Sequence, residues 1–161
     1  MKGTGVALIT PFKKDFSIDF DALDKIIDHS ITGGVEYLVA LGTTGESVTL
    51  TKEEKSAVYS FIKERAKGKV ACVAGLGGNN TQELIDSMKS FDYSGFDAIL
   101  SVSPYYNKPS QEGIFQHYNA IAKASPLPII IYNVGSRTAV NIQAETTLRI
   151  ANEIPQVIGV K

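Results

Sequence analysis

The stretches LPIIIYNV, residues 127–134, and VIGVK, residues 157–161, decide how this chain folds. Each is a short run that is apolar nearly throughout, which is typical of a strand covered on both faces in a parallel sheet. Four similar runs precede them along the chain: GVALIT, EYLVAL, KVACVAG and DAILSVS. The sequence therefore predicts six buried strands.

Amphipathic segments with recognisable start signals separate these strands. One segment begins at Asp19, and a T-x-x-E capping box at Thr51 and Glu54 starts the next. The other three are expected to begin at Asn80, Ser110 and Asn141. Strands that alternate with helices imply a parallel sheet with right-handed crossovers. Five β-α units and a sixth strand fit either an open doubly wound sheet or part of a (β/α)8 barrel, and the alternation alone does not choose between them.

Composition excludes several classes of protein. The net charge of −1 lacks the basic excess expected for a nucleic-acid partner. No apolar run approaches the roughly 20 residues of a membrane span, and the N-terminal MKGTGVALITPF lacks the apolar core of a signal peptide. The lone Cys72 is expected to be a buried free thiol in a cytoplasmic protein. No His, Cys or carboxylate cluster has metal-ligand spacing, so no metal site is expected.

Unusual polar residues follow the strands and seldom precede them. GTTGES (residues 42–47) follows the second strand, PYYNKP (104–109) the fourth and YNVGSRT (132–138) the fifth, and Lys161 ends the sixth. In a parallel α/β protein the C-terminal ends of the strands share one face, where active sites lie. The sequence therefore predicts an active site built from these loops.

Lys161 has two interpretations, a strand-end lysine that reaches solvent or an amine nucleophile. Loss of water between Ile158, Val160 and the walls of a barrel would favour the neutral amine, which can attack a ketone to form a Schiff base. Tyr132, on the neighbouring strand, is either a core phenol or the group that moves protons for this chemistry.

The turn at Thr43 and Thr44 and the side chain of Arg137 also allow two interpretations each. GTTGES could be a tight turn whose glycines supply positive φ, or its N–H groups and hydroxyls could hold a carboxylate. Arg137 could be a surface charge or a bidentate clamp on a second carboxylate.

Five motifs together resemble the dihydrodipicolinate synthase family, the 4-hydroxy-tetrahydrodipicolinate synthases. They are GTGVALITPF, LGTTGES, SPYYNKPSQEGIFQHY, IIIYNVGSRT and VIGVK. This family belongs to the pyruvate-dependent class I aldolases, as does N-acetylneuraminate lyase. The resemblance runs from Gly5 to Lys161 and implies a (β/α)8 TIM barrel, of which the chain covers about five β-α units plus the sixth strand.

The resemblance also implies that residues 1–161 are the N-terminal part of a single (β/α)8 domain. The remainder of the barrel and the C-terminal helices would be absent from this chain. A sixth strand left as an open edge would invite aggregation. We therefore expect that the chain stops at a break, caused either by a modified Lys161 or by an incomplete segment.

The implied reaction condenses pyruvate with L-aspartate 4-semialdehyde to give 4-hydroxy-tetrahydrodipicolinate, in diaminopimelate and lysine biosynthesis. Pyruvate would be held as a Schiff base on Lys161, with no other cofactor. Tyr132 would shuttle protons, in a relay with Thr43 and with Tyr106. The family supplies Tyr106 from the neighbouring subunit of a homotetramer that is a dimer of dimers.

Two further residues have implied roles in binding substrate, Thr44 for the pyruvate carboxylate and Arg137 for the carboxylate of aspartate semialdehyde. Neuraminate lyases typically have serine in place of Thr43 and lack the Arg137-Thr138 pair, so the sequence favours the synthase. Gly135 departs from the family, which usually has proline there, and glycine loosens the loop that carries Arg137. The alternatives are an N-acetylneuraminate lyase, a 2-keto-3-deoxy sugar acid aldolase, or a non-catalytic carboxylate-binding half-barrel.

A regulatory site is implied as well, because many family members are inhibited by L-lysine at the dimer interface. The matching positions are Ser47, Asn79, Glu83 and Tyr105. Lys55 stands where sensitive enzymes often have His or Glu. A cation there would oppose a cationic ligand, which favours insensitivity.

Overall fold

The computed structural model describes residues 2–161, which divide into two compact units. The first unit comprises the chain up to Gly75 together with Gly95–Asp97. The second comprises Leu76–Ser94 and Ala98–Lys161. Each unit contains parallel strands followed by helices, as the sequence predicts.

The first unit is a three-stranded parallel sheet with two helices. Its elements are β1 (Gly5–Ala7), α1 (Phe20–Thr32), β2 (Tyr37–Ala40), α2 (Lys52–Ala66) and β3 (Ala71–Gly75). Val6 of β1 pairs with Leu38 of β2, and Leu38 pairs with Cys72 of β3. Cys72 is the predicted buried thiol, since it is 1% exposed and burial raises its pKa to about 12. The thiol therefore stays protonated and unreactive at neutral pH.

The second unit contains the remaining three strands and four helices. Its elements are α3 (Thr81–Ser90), β4 (Ala98–Val102), α4 (Gln111–Ala124), β5 (Ile129–Tyr132), α5 (Gly135–Thr138), α6 (Ala144–Glu153) and β6 (Val157–Val160). β5 lies between β4 and β6 and is parallel to both. The helix-facing side of β5, with Ile129 and Ile131, is buried in one apolar cluster with residues of α3, α4 and α6.

The strands lie side by side in chain order within each unit, β1-β2-β3 in the first and β4-β5-β6 in the second. A doubly wound sheet of order 3-2-1-4-5-6 contains the same two groups of three strands, and so does a (β/α)8 barrel. The strand order within the units therefore leaves both predicted architectures open.

Most helix starts agree with the sequence, and one does not. Asp19 caps α1, Ser110 caps α4, and the Thr51–Glu54 capping box is complete in both directions. Asn80 caps α3, because its side chain accepts hydrogen bonds from the backbone N–H groups of Gln82 and Glu83. The prediction that Asn141 begins the last helix is wrong, because α6 begins at Ala144 and its N-cap is Gln143.

A buried histidine links α3 to α4 in the second unit. His117 of α4 is 3% exposed, and its Nδ1 lies 2.8 Å from the hydroxyl of Thr81 at the start of α3. Burial lowers the pKa of His117 to about 4, so the ring is neutral at physiological pH. This neutral histidine therefore serves the packing of α4 against α3.

Candidate active site

A β-bulge in β6 determines where Lys161 points. Val157 pairs with Ile129, but the next pair joins Gly159 to Ile130, so that Ile158 is an additional residue on β6. Beyond the bulge the pairing is regular again and places Lys161 beside Tyr132. Backbone hydrogen bonds from Lys161 N to Ile131 O (2.8 Å) and from Asn133 N to Lys161 O (3.0 Å) hold this register.

The amine of Lys161 lies over the ring of Tyr132 on one face of the sheet. Ile129 and Ile131 point towards the helices, so Tyr132, one residue further along, points to the opposite face. Lys161 Nζ lies 4.9 Å from the centroid of the Tyr132 ring, within the range of a cation–π contact. The structure thus brings together the predicted nucleophile and the predicted proton shuttle.

The loss of water predicted for Lys161 depends on its apolar neighbours and on the walls of a complete barrel, and it stays a prediction. Within residues 2–161 Lys161 is exposed, and the apolar residues that flank it are about half exposed, Ile158 at 50% and Val160 at 55%. Successive side chains of a strand point to opposite faces, so Val160 does not cover the amine.

The loop after β5 is fixed by Asn133, a residue that the sequence analysis did not single out. Its carboxamide oxygen accepts from Ile142 N at 3.2 Å, and its Nδ2 donates to Asn141 Oδ1 at 2.8 Å. The second bond occupies the side-chain oxygen of Asn141, which explains why Asn141 does not cap α6. The only sequence feature that could have indicated this role of Asn133 is its position directly after a predicted strand.

Arg137 lies in α5, a four-residue helix that the sequence analysis also missed. Its side chain is exposed, and its backbone N–H donates to Val134 O at 2.8 Å. Gly135 is the first residue of α5, a position that suits proline because the first N–H of a helix has no partner within it. The helix forms without proline, and the Thr138 hydroxyl closes it by donating to Val140 O at 2.8 Å.

The loop after β4 presents Tyr106 in a strained conformation. Tyr106 has φ 74°, which is uncommon for a residue with a side chain, and its ring is 83% exposed. Lys108, two residues later, also has positive φ, at 50°. Such strain persists only where the surrounding structure imposes it, and it is frequent at functional sites.

The predicted carboxylate-binding turn lies in the first unit and is a 3₁₀ turn at Thr43–Gly45. The interpretation that its glycines supply positive φ is wrong, because Gly42 has φ −70° and the positive values belong to Leu41 (51°) and Glu46 (53°). Both threonines are exposed. The first N–H groups of such a turn have no partner within it and can donate hydrogen bonds to an anion.

Gly45 serves close packing in this turn. A Cβ at Gly45 would lie 3.2 Å from Leu8 O, and the Thr10 hydroxyl donates to Gly45 O at 2.7 Å. Since the chain after β1 lies directly against this residue, any side chain would push the two segments apart. Gly45 thus fixes the turn that carries the two threonines.

The four candidate regulatory residues occupy loops and helix starts. Asn79 and Glu83 are exposed at the beginning of α3, and Tyr105 is half-buried after β4. Ser47 is half-buried in a second 3₁₀ turn of the first unit, and Lys55 is half-buried in α2. Their joint role stays a prediction.

Residues 2–161 contain neither a cluster of metal-binding side chains nor a helix suited to a membrane. No group of three or more His, Cys, Asp or Glu side chains is arranged to hold a metal ion. Within the same residues, none of the helices combines the length and the apolar character needed to cross a membrane.

Comparison with known proteins shows similarity along the entire chain. A curated protein of Parabacteroides distasonis named 4-hydroxy-tetrahydrodipicolinate synthase is 56% identical over 161 residues, which cover 100% of this chain and 54% of that protein. A crystal structure described as the chloride-inhibited dihydrodipicolinate synthase from Acinetobacter baumannii complexed with pyruvate is 45% identical. It has a TM-score of 0.93 and matches 99% of this chain and 54% of its own.

A further solved structure, described as the first monomeric dihydrodipicolinate synthase variant, is 39% identical with a TM-score of 0.94 and matches 99% of this chain and 53% of its own. The chain spans about half the length of the curated relatives it matches. Its backbone matches those of solved dihydrodipicolinate synthase structures with TM-scores of 0.93, which confirms the predicted (β/α)8 fold class. Residues 1–161 match the sequence profile of the dihydrodipicolinate synthetase family, and the chain belongs to that family.

Proposed function

We propose that the protein that contains this chain condenses pyruvate with L-aspartate 4-semialdehyde to give 4-hydroxy-tetrahydrodipicolinate, in the diaminopimelate and lysine pathway. The observation that carries the proposal is the position of the Lys161 amine, 4.9 Å from the centroid of the Tyr132 ring at the end of two paired strands. The names of the curated relatives support the same reaction.

The neighbouring amine and phenol suit the formation of an imine. The neutral amine of Lys161 attacks the C2 carbonyl of pyruvate, and the resulting carbinolamine loses water. The departing hydroxyl needs a proton, which the Tyr132 phenol can donate, and the phenolate can then take back a proton. Loss of a proton from the methyl group turns the imine into an enamine, whose carbon attacks the aldehyde of the second substrate.

The proton relay is proposed to extend beyond Tyr132 through Thr43 to Tyr106 of a neighbouring subunit. The strained, 83% exposed Tyr106 supports this, because its ring is available to a second molecule. We propose a homotetramer assembled as a dimer of dimers, although one solved relative is described as a monomeric variant.

Recognition of the two carboxylates is assigned to Thr44 for pyruvate and to Arg137 for aspartate semialdehyde. Free N–H groups at the start of the 3₁₀ turn support the first assignment. An exposed guanidinium, five residues beyond Tyr132, supports the second. We propose that the reaction needs no cofactor and that pyruvate itself is bound covalently to Lys161 as a Schiff base.

Three wider assignments follow from the resemblance and stay proposals. Residues 1–161 form the N-terminal part of a single (β/α)8 domain, and the protein works in the cytoplasm. The regulatory positions Ser47, Asn79, Glu83 and Tyr105 surround an L-lysine site. Lys55 would weaken binding there, so we expect little inhibition by L-lysine.

Trapping with borohydride tests the proposed function. The protein is incubated with pyruvate, reduced, digested and analysed by peptide mass, and we expect one stable adduct on Lys161. Omitting pyruvate is the control for unspecific modification. An adduct on another lysine, or none, would overturn the proposal.

Arg137→Ala tests which substrate this side chain holds. We expect KM for aspartate semialdehyde to rise by roughly one to two orders of magnitude, as loss of a charge-assisted bidentate contact predicts, with KM for pyruvate nearly unchanged. Steady-state kinetics with each substrate varied in turn gives both values.

The matched variant Arg137→Lys keeps the charge but loses the planar fork, and it should recover only part of the affinity. Equal effects of Arg137→Ala on both substrates would point to a structural role for the residue. Efficient cleavage of N-acetylneuraminate by the unmodified protein would replace the synthase with a lyase.

A further inference from the structure

The phenol of Tyr118 makes a buried hydrogen bond directly behind the candidate active site. Tyr118 lies on α4 and is 0% exposed, and its hydroxyl donates to the carbonyl of Ser101 on β4 at 2.9 Å. The sequence shows it only as one member of an apolar helical stripe. A buried hydroxyl is costly unless it is bonded, so this tyrosine does more than fill volume.

The acceptor of that bond belongs to the strand pair that ends at Tyr132. Ser101 pairs with Ile131, so in this parallel register its carbonyl accepts the N–H of Tyr132. Burial raises the pKa of the Tyr118 phenol, and the neighbouring backbone of Tyr132 lowers it. Tyr118 thus bonds to the carbonyl that joins β4 to β5 immediately below the Tyr132 side chain.

The next bond along this strand pair is weaker. Ser103 N donates to Tyr132 O at 3.3 Å, beyond the usual range for such bonds, and both strands end here. Among the described residues, the buried hydroxyls of Ser101 and Ser103 have no hydrogen-bond partner, so they do not reinforce the pair. Tyr118 therefore supplies the side-chain bond that holds this strand end.

A second buried phenol offers a matched comparison in the first unit. Tyr59 of α2 is 8% exposed, and its hydroxyl donates to the carbonyl of Gly75 at 2.7 Å, at the end of β3. Both phenols therefore join a helix to the end of a strand. The end of β3 carries none of the candidate catalytic side chains, so loss of its phenol bond should leave the backbone that holds the Tyr132 phenol unchanged.

We propose that Tyr118 is a positioning residue, whose hydroxyl fixes the backbone of Tyr132 and thereby holds the Tyr132 phenol against the Lys161 amine. This inference rests on the proposed function, because it assigns Tyr132 the transfer of protons to and from the imine. It adds a residue that touches neither substrate but sets the geometry of one that does. Misplacement of a catalytic group by a fraction of an ångström is enough to slow a reaction.

The test compares Tyr118→Phe with Tyr59→Phe in the full-length protein. Both variants should lower the thermal midpoint, since each removes a buried hydroxyl that donates to a strand carbonyl and keeps its ring. Only Tyr118→Phe should lower kcat, by about tenfold, with KM for pyruvate unchanged. A fall in kcat of equal size in both variants would overturn the proposal, as would no fall in Tyr118→Phe.

A double variant separates a positioning role of Tyr118 from a general structural effect. Once Tyr132→Phe has removed the phenol, adding Tyr118→Phe should cause no further loss of rate. The same tenfold loss in both backgrounds would show that Tyr118 does not act through the Tyr132 phenol.

The rate of imine formation with pyruvate, measured by borohydride trapping, is recorded beside the condensation. If the unmodified protein forms the imine but does not condense aspartate semialdehyde, the proposed second substrate is wrong, and the imine rates still decide the role of Tyr118. If it forms no imine, both the proposed function and the role of Tyr118 are overturned.

Discussion

Replacing Lys161 by arginine is expected to abolish condensation, with kcat/KM lower by roughly 10⁴ to 10⁶, as for other enzymes that lose a covalent nucleophile. Arginine keeps the positive charge and much of the length, but its guanidinium does not become the neutral amine that imine formation requires. The contact with the Tyr132 ring can persist, because arginine also stacks on aromatic faces. Coupled-assay kinetics and borohydride trapping should both report the loss.

Lys123→Arg is the matched control for this substitution. Lys123 is exposed in the last turn of α4, so the change should leave both kinetics and trapping unaffected. Activity of the Lys161→Arg variant within tenfold of the unmodified protein would show that the nucleophile lies elsewhere.

The elements of the fold could be predicted because their signals are local. An apolar run bounded by polar residues specifies a buried strand wherever its partners lie. The capping box at Thr51 and Glu54 involves only residues three apart, and it forms as predicted. Buried strands and capped helices therefore have the bounds that the sequence indicates, to within a few residues.

The errors concern a hydrogen bond between two residues of one loop and a helix too short to show a pattern. Asn141 has the side chain of a helix cap, but its oxygen accepts from Asn133, eight residues earlier. The short helix α5 has no apolar periodicity, since four residues are too few to show it. At Asn141 the hydrogen bond to Asn133 outweighs the local preference for capping a helix.

The orientation of Lys161 is the least predictable feature of the candidate site. Strict alternation from the buried Val157 would place Lys161 on the same, helix-facing side, away from Tyr132. The extra residue in the bulge reverses this and turns the lysine to the face of Tyr132. Bulges often re-aim a side chain beside an active site, and the sequence carries no signal for this one except the nearby Gly159.

Tyr132→Phe is expected to lower kcat by roughly 10² to 10⁴, the usual contribution of a general acid–base group. The ring remains, so its contact with Lys161 and its packing are kept, and only the proton-carrying hydroxyl is lost. The imine should therefore still form, but slowly, when trapping is followed over time. Tyr93→Phe is the control, because it removes a hydroxyl that donates to Met88 O at 2.8 Å, remote in sequence from the strand-end loops.

Mixed oligomers extend this experiment to the neighbouring subunit. Suppose that Tyr106 of one protomer completes the relay in its partner. A dimer of one Tyr106→Phe and one Tyr132→Phe protomer then contains one intact site and one with both lesions, so about half of its sites should work. If Tyr106 acts within its own protomer, every site carries one lesion and activity does not recover. The strained, 83% exposed Tyr106 favours recovery of activity. If hybrids verified by mass show no recovered activity, the shared site is refuted.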